Sequence, residues 1–373
     1  MLNNKKIVAF ICECNPFHLG HKRLINAALK EGDIVIAIMS GNFVQRGETA
    51  IYDKYKRCKS LIKNGVSLVI ELPIEYTLSS AKYFSLYSVA ILDKLKFIDK
   101  LIFGSKVNDI NVLSKISNIN LNIDSNTTIK KYLKEGLSYS SAISKVYGKN
   151  LSSNDILAVE YISAIKKLKS KITPVCIKRN NDLPTASELR KNIVPKITND
   201  NFSSILNYKL QLAKSNICDY SNTYLMTNDL YNAILKTANK NISFTKRTKL
   251  LKTKNITLSH IKRVLLNMVL GINKNDIQIS NNNPKINYIR ILGVKKDFLP
   301  NLKYLSIPFL LSYNNNAYKT FVNKFKKSNA IKINKNGNYV LSPSIKTNIF
   351  ANDLYSFLSN NKTNEASIKT LIL

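Results

Sequence analysis

The stretch Ile7-Val8-Ala9-Phe10-Ile11-Cys12-Glu13-Cys14-Asn15-Pro16-Phe17-His18-Leu19-Gly20-His21-Lys22-Arg23-Leu24 decides how this chain is read. An apolar run of strand length, Ile7 to Ile11, leads into a turn shaped by Pro16 and Gly20, and a helical pattern follows from Lys22. In an open α/β sheet, ligands settle beyond the carboxyl ends of the strands. A helix N-terminus there offers free backbone N–H groups and a positive dipole end to an anion. Two of the chain's three histidines, His18 and His21, stand in this turn three residues apart. Two imidazoles at that spacing can flank one cluster of phosphate oxygens. The plainer alternative is a pair of histidines that cap a helix, and the strand before and helix after favour the first reading.

Outward from this stretch the chain alternates strand and helix. Ile34 to Met39, Ser67 to Leu72 and Lys100 to Phe103 are short runs rich in Ile, Val and Leu, as strands covered on both faces require. Helical patterns at Lys22 to Lys30, Lys54 to Asn64 and Ser79 to Leu95 separate them. Such alternation predicts a parallel sheet with right-handed crossovers. Ile172 to Ile177 adds a strand after a helix at Asn154 to Lys169, and a helix at Ser187 to Ile193 is opened by Thr185 or Ser187. From about residue 200 helical segments take over, divided by Asn- and Lys-rich connections. The clearest is Thr257 to Leu270, with Ile261, Val264, Leu265, Met268 and Val269 at helical spacing and Thr257 or Ser259 at its start. The expected architecture is α/β, a Rossmann-like domain with a parallel sheet over residues 1–195, then a mostly helical domain over 196–373. Polar patches at 199–204, 273–284 and 359–365 are expected loops or linkers, and no internal repeat is found.

The chain's 373 residues suffice for two domains with separate cores. With 57 Lys plus Arg against 23 Asp plus Glu, the net charge of +34 attracts a polyanion and fits nucleic-acid binding. Abundant Lys and Asn also accompany AT-rich coding, which accounts for part of that charge. Up to residue 190 there are 29 basic and 16 acidic residues, and beyond it 28 and 7, so the excess is heavier in the second half. No run of about 18 apolar residues occurs, and Met1-Leu2-Asn3-Asn4-Lys5-Lys6 leads only into a short strand, so a cytoplasmic protein without a membrane anchor is expected. The five cysteines, Cys12, Cys14, Cys58, Cys176 and Cys218, are irregularly spaced and read as reduced thiols. Cys12 and Cys14 flank Glu13, but no second pair or spare histidine completes a ligand set, so no metal site is expected.

The His18-Leu19-Gly20-His21 turn resembles the signature of the nucleotidyltransferase superfamily, whose members attack the α-phosphate of a nucleoside triphosphate and release pyrophosphate. Further stretches narrow the resemblance. Ser40-Gly41-Asn42-Phe43-Val44-Gln45-Arg46-Gly47-Glu48, Asp53-Lys54-Tyr55-Lys56-Arg57, Val69-Ile70-Glu71-Leu72-Pro73 and Leu101-Ile102-Phe103-Gly104-Ser105 are similar to the tRNA(Met) cytidine acetate ligase family. The likeness continues at Ser153-Asn154-Asp155-Ile156-Leu157, Ile177-Lys178-Arg179, Thr185-Ala186-Ser187-Glu188-Leu189-Arg190, Thr257 to Ile272 and Asn287 to Gly293.

The resemblance implies that ATP activates acetate as acetyl-adenylate, which then acetylates N4 of the wobble cytidine of elongator tRNA(Met). It implies catalytic roles for His18 and His21 at the triphosphate. ATP contacts are implied for Ile11, Cys12, Glu13, Cys14, Asn15, Pro16, Phe17, His18, Leu19, Gly20, His21, Lys22, Arg23, Leu24, Gly104, Asn154, Arg179 and Asn180. Mg²⁺ is the usual companion of ATP. The loop Ser40 to Glu48 is long for a connection between strand and helix. It would close over acetate and present Gln45 or Arg46 to the tRNA, with Lys262 and Arg263 as further tRNA contacts. Attack by acetate on phosphorus needs no general base, because acetate is ionised at neutral pH.

The chain departs from the family pattern between Arg179 and Thr185, where a longer loop is expected, and His260 stands where an Arg is usual. Two other readings stay open: a small-molecule adenylyltransferase using the same turn, and a catalytically silent RNA-binding protein. The basic second half argues against the former and the histidine pair against the latter.

Overall fold

The computed structural model describes residues 4–121, 127–137, 139–148, 151–179, 185–277, 284–314, 321, 331–333, 339–341, 343–361 and 363–373. The strands β1 (Ile7–Cys12), β2 (Ile34–Ser40), β5 (Leu68–Leu72), β6 (Lys100–Ser105) and β7 (Thr173–Lys178) fall where the apolar runs predict them. Between β2 and β5 a small antiparallel hairpin, β3 (Phe43–Val44) with β4 (Glu48–Thr49), occupies the long loop. The helices α1 (Leu19–Glu31), α2 (Lys54–Lys63), α3 (Ile74–Thr77) and α4 (Ala81–Leu95) follow their strands. The five long strands are mutually parallel in the order β5-β2-β1-β6-β7. The order reverses between β1 and β6, the crevice where such sheets bind ligands.

Side chains alternate across this sheet with a period of two. Ile7, Ala9, Ile36, Ile38, Leu68 and Ile70 bury one face beneath α4 and the helix Ser153–Lys167. Val8, Phe10, Val35, Ala37 and Val69 bury the other against Ile25 and Ala28 of α1 and Leu61 and Ile62 of α2. Covering on both faces explains why the strands read as continuous apolar runs.

The sheet does not end with the first half of the chain. A strand missing from the sequence expectation, β8 (Ile289–Val294), pairs antiparallel with β5. Leu371–Ile372 and Phe309–Leu310 then pair parallel with β8. The division expected at residue 195 therefore does not divide the sheet. Buried Arg290 interrupts the apolar run of β8, and its Nη atoms donate to the Ile291 and Ile368 carbonyls and the Thr370 hydroxyl. The remaining second-half core is helical. Helices 203–214, 228–235, 244–250, 258–270 and 343–358 enclose it together with Phe43, Ile74 and Leu78 from the first half.

Caps settle two open boundaries: Thr185 accepts from Glu188 N, and Thr257 from His260 N. The patch at 199–204 is a 3₁₀ turn running into the helix Ser203–Lys214, not a loop. Residues 278–283 and 362, within the other two patches, lie outside the described residues.

Candidate active site

The turn between β1 and α1 places both histidines at the helix N-terminus. His18 is the N-cap, in extended conformation, and its Nδ1 accepts from Gly20 N at 3.0 Å. His18 N donates in return to His21 Nδ1 at 3.3 Å, so the pair forms a reciprocal capping box. Both Nδ1 atoms therefore accept from backbone N–H groups, which in the neutral form of His18 leaves that ring's proton on Nε2. The ring centroids lie 4.0 Å apart, and Phe17 stacks on His21 at 5.7 Å. The capping reading is thus borne out, with one edge of each ring closing the helix.

Gly20 is required by close approach. A Cβ there would stand 2.7 Å from Cε1 of His18, so any side chain pushes the ring off the cap. Gly20→Ala is expected to keep the fold yet cost about 100-fold in turnover, as small misplacements of reacting groups do. Comparing kcat with the unfolding midpoint checks this.

Burial, then the charges of His21, Arg179 and Arg190, hold His18 down to about 4. It is neutral at pH 7 and a donor through Nε2. Between about 6.5 and about 4 the unfolded chain takes up this proton first, so stability falls as pH falls through that window. An NMR titration of His18 should give a midpoint near 4 that rises when a triphosphate binds.

The floor of the turn is held by residues that periodicity does not single out. Arg57, on α2 and fully buried, donates to the carbonyls of Glu13 (2.6 Å), Ser40 (3.1 Å) and Gly41, tying together the ends of β1 and β2. Arg190 donates to Asn15 O at 2.8 Å. Asn15 Oδ1 accepts from Ile51 N at 2.8 Å. Burial raises Cys12. It works to raise Cys14 too, but the hydrogen bond with Cys12 and the imidazole of His21 bring Cys14 down to about 5. Cys12, Cys14, Asn15 and Pro16 are buried, Ile11 and Leu24 half-buried, and Leu19, Lys22 and Arg23 exposed along the helix start.

The other candidates converge on the same edge of the sheet. Gly104 lies in β6, where an added methyl would meet open space. Arg179 follows β7, donates its N–H to Ser105 O at 3.0 Å, and is near enough to influence His18. Asn154 sits in the first turn of the helix Ser153–Lys167, which Asp155 docks onto β6 by accepting from Ser105 Oγ (2.7 Å) and Lys106 N (2.8 Å). Burial opposes the charge of Asp155, yet the hydrogen bonds from Ser105 and Ser152 hold its carboxyl below the usual range. Asn180 and the shortened loop before Thr185 lie outside the described residues.

The loop 40–48 is pinned at both ends of its reach. Glu13 Oε1 accepts from Gln45 N at 2.7 Å, and Gln45 Nε2 donates to Ser79 O at 3.2 Å. Burial raises the Glu13 carboxyl, with that hydrogen bond and Arg46 opposing. The four expected tRNA contacts differ in exposure. Gln45 turns inward, Arg263 is buried with Nη1 on Gln45 O (3.1 Å), and Lys262 pairs with Glu48 at 2.5 Å. Arg46 remains exposed. The helix 258–270 is enclosed on nearly every side, which draws even its arginine into the loop's support.

A parallel sheet of this order, with a His-x-Gly-His turn opening the first helix at its carboxyl edge, defines a Rossmann-like nucleotidyltransferase. Residues 5–194 and 182–369 match the model of the HIGH Nucleotidyl Transferase family. The tRNA(Met) cytidine acetate ligase of Thermoanaerobacter sp. (strain X514) is 36% identical over 338 residues, covering 77% of this chain and 82% of that protein. The Clostridium perfringens (strain ATCC 13124) protein of the same name is 30% identical over 405 residues, covering 95% of each. The crystal structure of Thermotoga maritima TmcAL bound with alpha-thio ATP superposes with a TM-score of 0.81 at 25% identity over 99% of both chains. The chain belongs to the tRNA(Met) cytidine acetate ligase family.

Proposed function

We propose that this chain joins acetate to the α-phosphate of ATP at the His18–His21 turn and passes the acetyl group to N4 of the wobble cytidine of elongator tRNA(Met). The observation that carries the reading is the pair of imidazoles, ring centroids 4.0 Å apart, whose Nδ1 atoms are both engaged by the backbone at a helix N-terminus, so that their remaining ring nitrogens are the groups that would meet a phosphate. An acetate oxygen forms a bond to the α-phosphorus while the bond to pyrophosphate breaks. Charge grows on the phosphate oxygens in that in-line displacement, and fixed N–H donors stabilise it without reorganising. Open space at Gly104 leaves room for a nucleotide, and Asn154 and Arg179 are the polar groups that would hold it. In the second step N4 attacks the acetyl carbonyl, loses a proton, and AMP leaves.

Magnesium would enter with the triphosphate. Mg²⁺ keeps several waters and takes one or two carboxylates plus phosphates. Glu13, the carboxylate in this turn, already accepts from Gln45 N, so the turn offers no dedicated cage. Among the described residues no helix is long and apolar enough to cross a membrane. Arg46 is the exposed loop residue best placed to meet the incoming tRNA.

Incubating the protein with ATP, acetate and elongator tRNA(Met), then digesting the RNA to nucleosides for mass spectrometry, tests the reading. N4-acetylcytidine that requires all three substrates supports it. Adenylyl transfer to a metabolite phosphate instead would favour the small-molecule alternative, and tRNA binding with no turnover the silent one.

A further inference from the structure

We infer that two lysine-rich segments far apart in sequence form one docking surface for the phosphate backbone of tRNA, separate from the ATP turn; the identity of the polyanion rests on the function proposed above. The first segment is the helix Thr127–Lys134. Its inner face is fixed by Ile129, fully buried, and by half-buried Tyr132, so Lys130, Lys131 and Lys134 are exposed. They line an open concavity of about 520 Å³ with Thr127 and Glu135, and Lys145 lies 4.3 Å over the Tyr132 ring at its side. The second segment is the helix Phe244–Leu250 and the turn after it, where Lys246, Lys249, Lys252 and Lys254 are exposed and no acidic residue occurs from 244 to 256.

Gly136 joins the two. It has φ +85, and a Cβ on it would stand 2.5 Å from Oδ1 of Asn255 and 3.8 Å from Cδ of Lys254, so the turns lie directly against each other. The two segments thus carry seven exposed lysines and one glutamate to a seam between the halves of the chain, with Asp200 the acid that caps the second helix at Thr245 N (2.7 Å).

A lysine-rich background would scatter charge and mix it with acids, as at Lys96 with Asp93 or Lys100 with Glu31. Here two segments more than 100 residues apart are nearly free of acids and meet in space. Lysines are flexible point charges suited to phosphate and carry no fork for reading bases. The surface is accordingly assigned to sequence-independent grip on the RNA backbone, with affinity driven by counterion release.

The test uses the full chain with two sets of changes, K130Q/K131Q/K134Q and K252Q/K254Q, and the matching sets to Arg. Binding of elongator tRNA(Met) is measured by fluorescence anisotropy across a KCl series, beside acetate-dependent ATP–pyrophosphate exchange without tRNA. Each Gln set should weaken binding roughly tenfold at moderate salt, and the triple set should flatten the log K against log salt slope by about 2 to 3. Each Arg set should bind like the parent, and exchange should be unchanged in all. Wild-type affinity and slope in both Gln sets, in a chain that does bind tRNA, overturns the surface and leaves the ligase reading standing. So does transfer of the lysine dependence to phosphatidylserine vesicles with tRNA binding unmoved. Absence of acetate-dependent exchange in the parent sinks the ligase reading alone, since the salt slope still decides whether this surface grips RNA.

Discussion

His21→Ala should lower acetate-dependent ATP–pyrophosphate exchange by on the order of 10²- to 10³-fold, the loss seen when one preorganised donor to a developing oxyanion is removed. The change deletes one of the two ring nitrogens that would meet a phosphate. It also frees the His18 backbone N–H that His21 Nδ1 accepts at 3.3 Å, and takes away the ring 4.0 Å from His18. The stability loss should be small, about 1 kcal/mol, because only half of a helix cap disappears. Binding of tRNA should remain near that of the parent, since the turn lies apart from the lysine-rich seam. Exchange by His21→Ala at the parent rate would remove the role assigned to the turn.

Lys54→Ala is expected to cost about 3 to 5 kcal/mol of stability, the penalty for leaving a buried charge without its partner. Lys54 Nζ is fully buried between the carboxylates of Glu71 (2.8 Å) and Glu365 (2.6 Å), and Tyr55 OH also donates to Glu365 at 2.9 Å. Burial works to lower Lys54, but Glu365 and Glu71 overcome it and hold the ammonium well above its ordinary range. Without the lysine, two carboxylates face each other in the dry interior. Burial already raises Glu71, and losing the cation raises it further. A carboxylate with a raised folded-state pKa binds protons more readily in the folded chain, so acidifying the buffer should recover part of the lost stability. Urea unfolding at two pH values measures both effects. The consequence reaches the active site, because α2 also carries Arg57, which holds the carbonyls beneath the turn, and Glu365 fastens the C-terminal strand to the sheet. A variant as stable as the parent would show the ion triad to be energetically idle.

What the sequence made legible was local. The first strand, the turn and α1 could be read because a continuous apolar run, a turn former and a paired-histidine motif occur within twenty residues, and the other parallel strands carry the same apolar signature. The helix starts were narrowed to Thr185 or Ser187 and to Thr257 or Ser259 for the same reason, and the structure selects Thr185 and Thr257. What escaped reading depends on partners distant in sequence. β8 joins β5 across more than 200 residues and has an arginine near its start, which breaks an apolar run but is met in the fold by the Ile368 carbonyl and Thr370 hydroxyl of the C-terminal segment. Lys54 and Glu365 are 311 residues apart, and nothing in the composition marks a lysine as buried. Arg263, a tRNA contact by the resemblance, lies on an enclosed helix and its guanidinium donates to the loop at Gln45 O. In each case a buried charged residue is held by a partner distant in sequence, which local pattern does not reveal.

Acetate-dependent exchange of labelled pyrophosphate into ATP, in the absence of tRNA, tests the central claim most directly. The account predicts exchange that needs acetate, is inhibited by added acetyl-adenylate, and is lost in His18→Ala and His21→Ala. Exchange that ignores acetate, or that survives removal of both imidazoles, would contradict it.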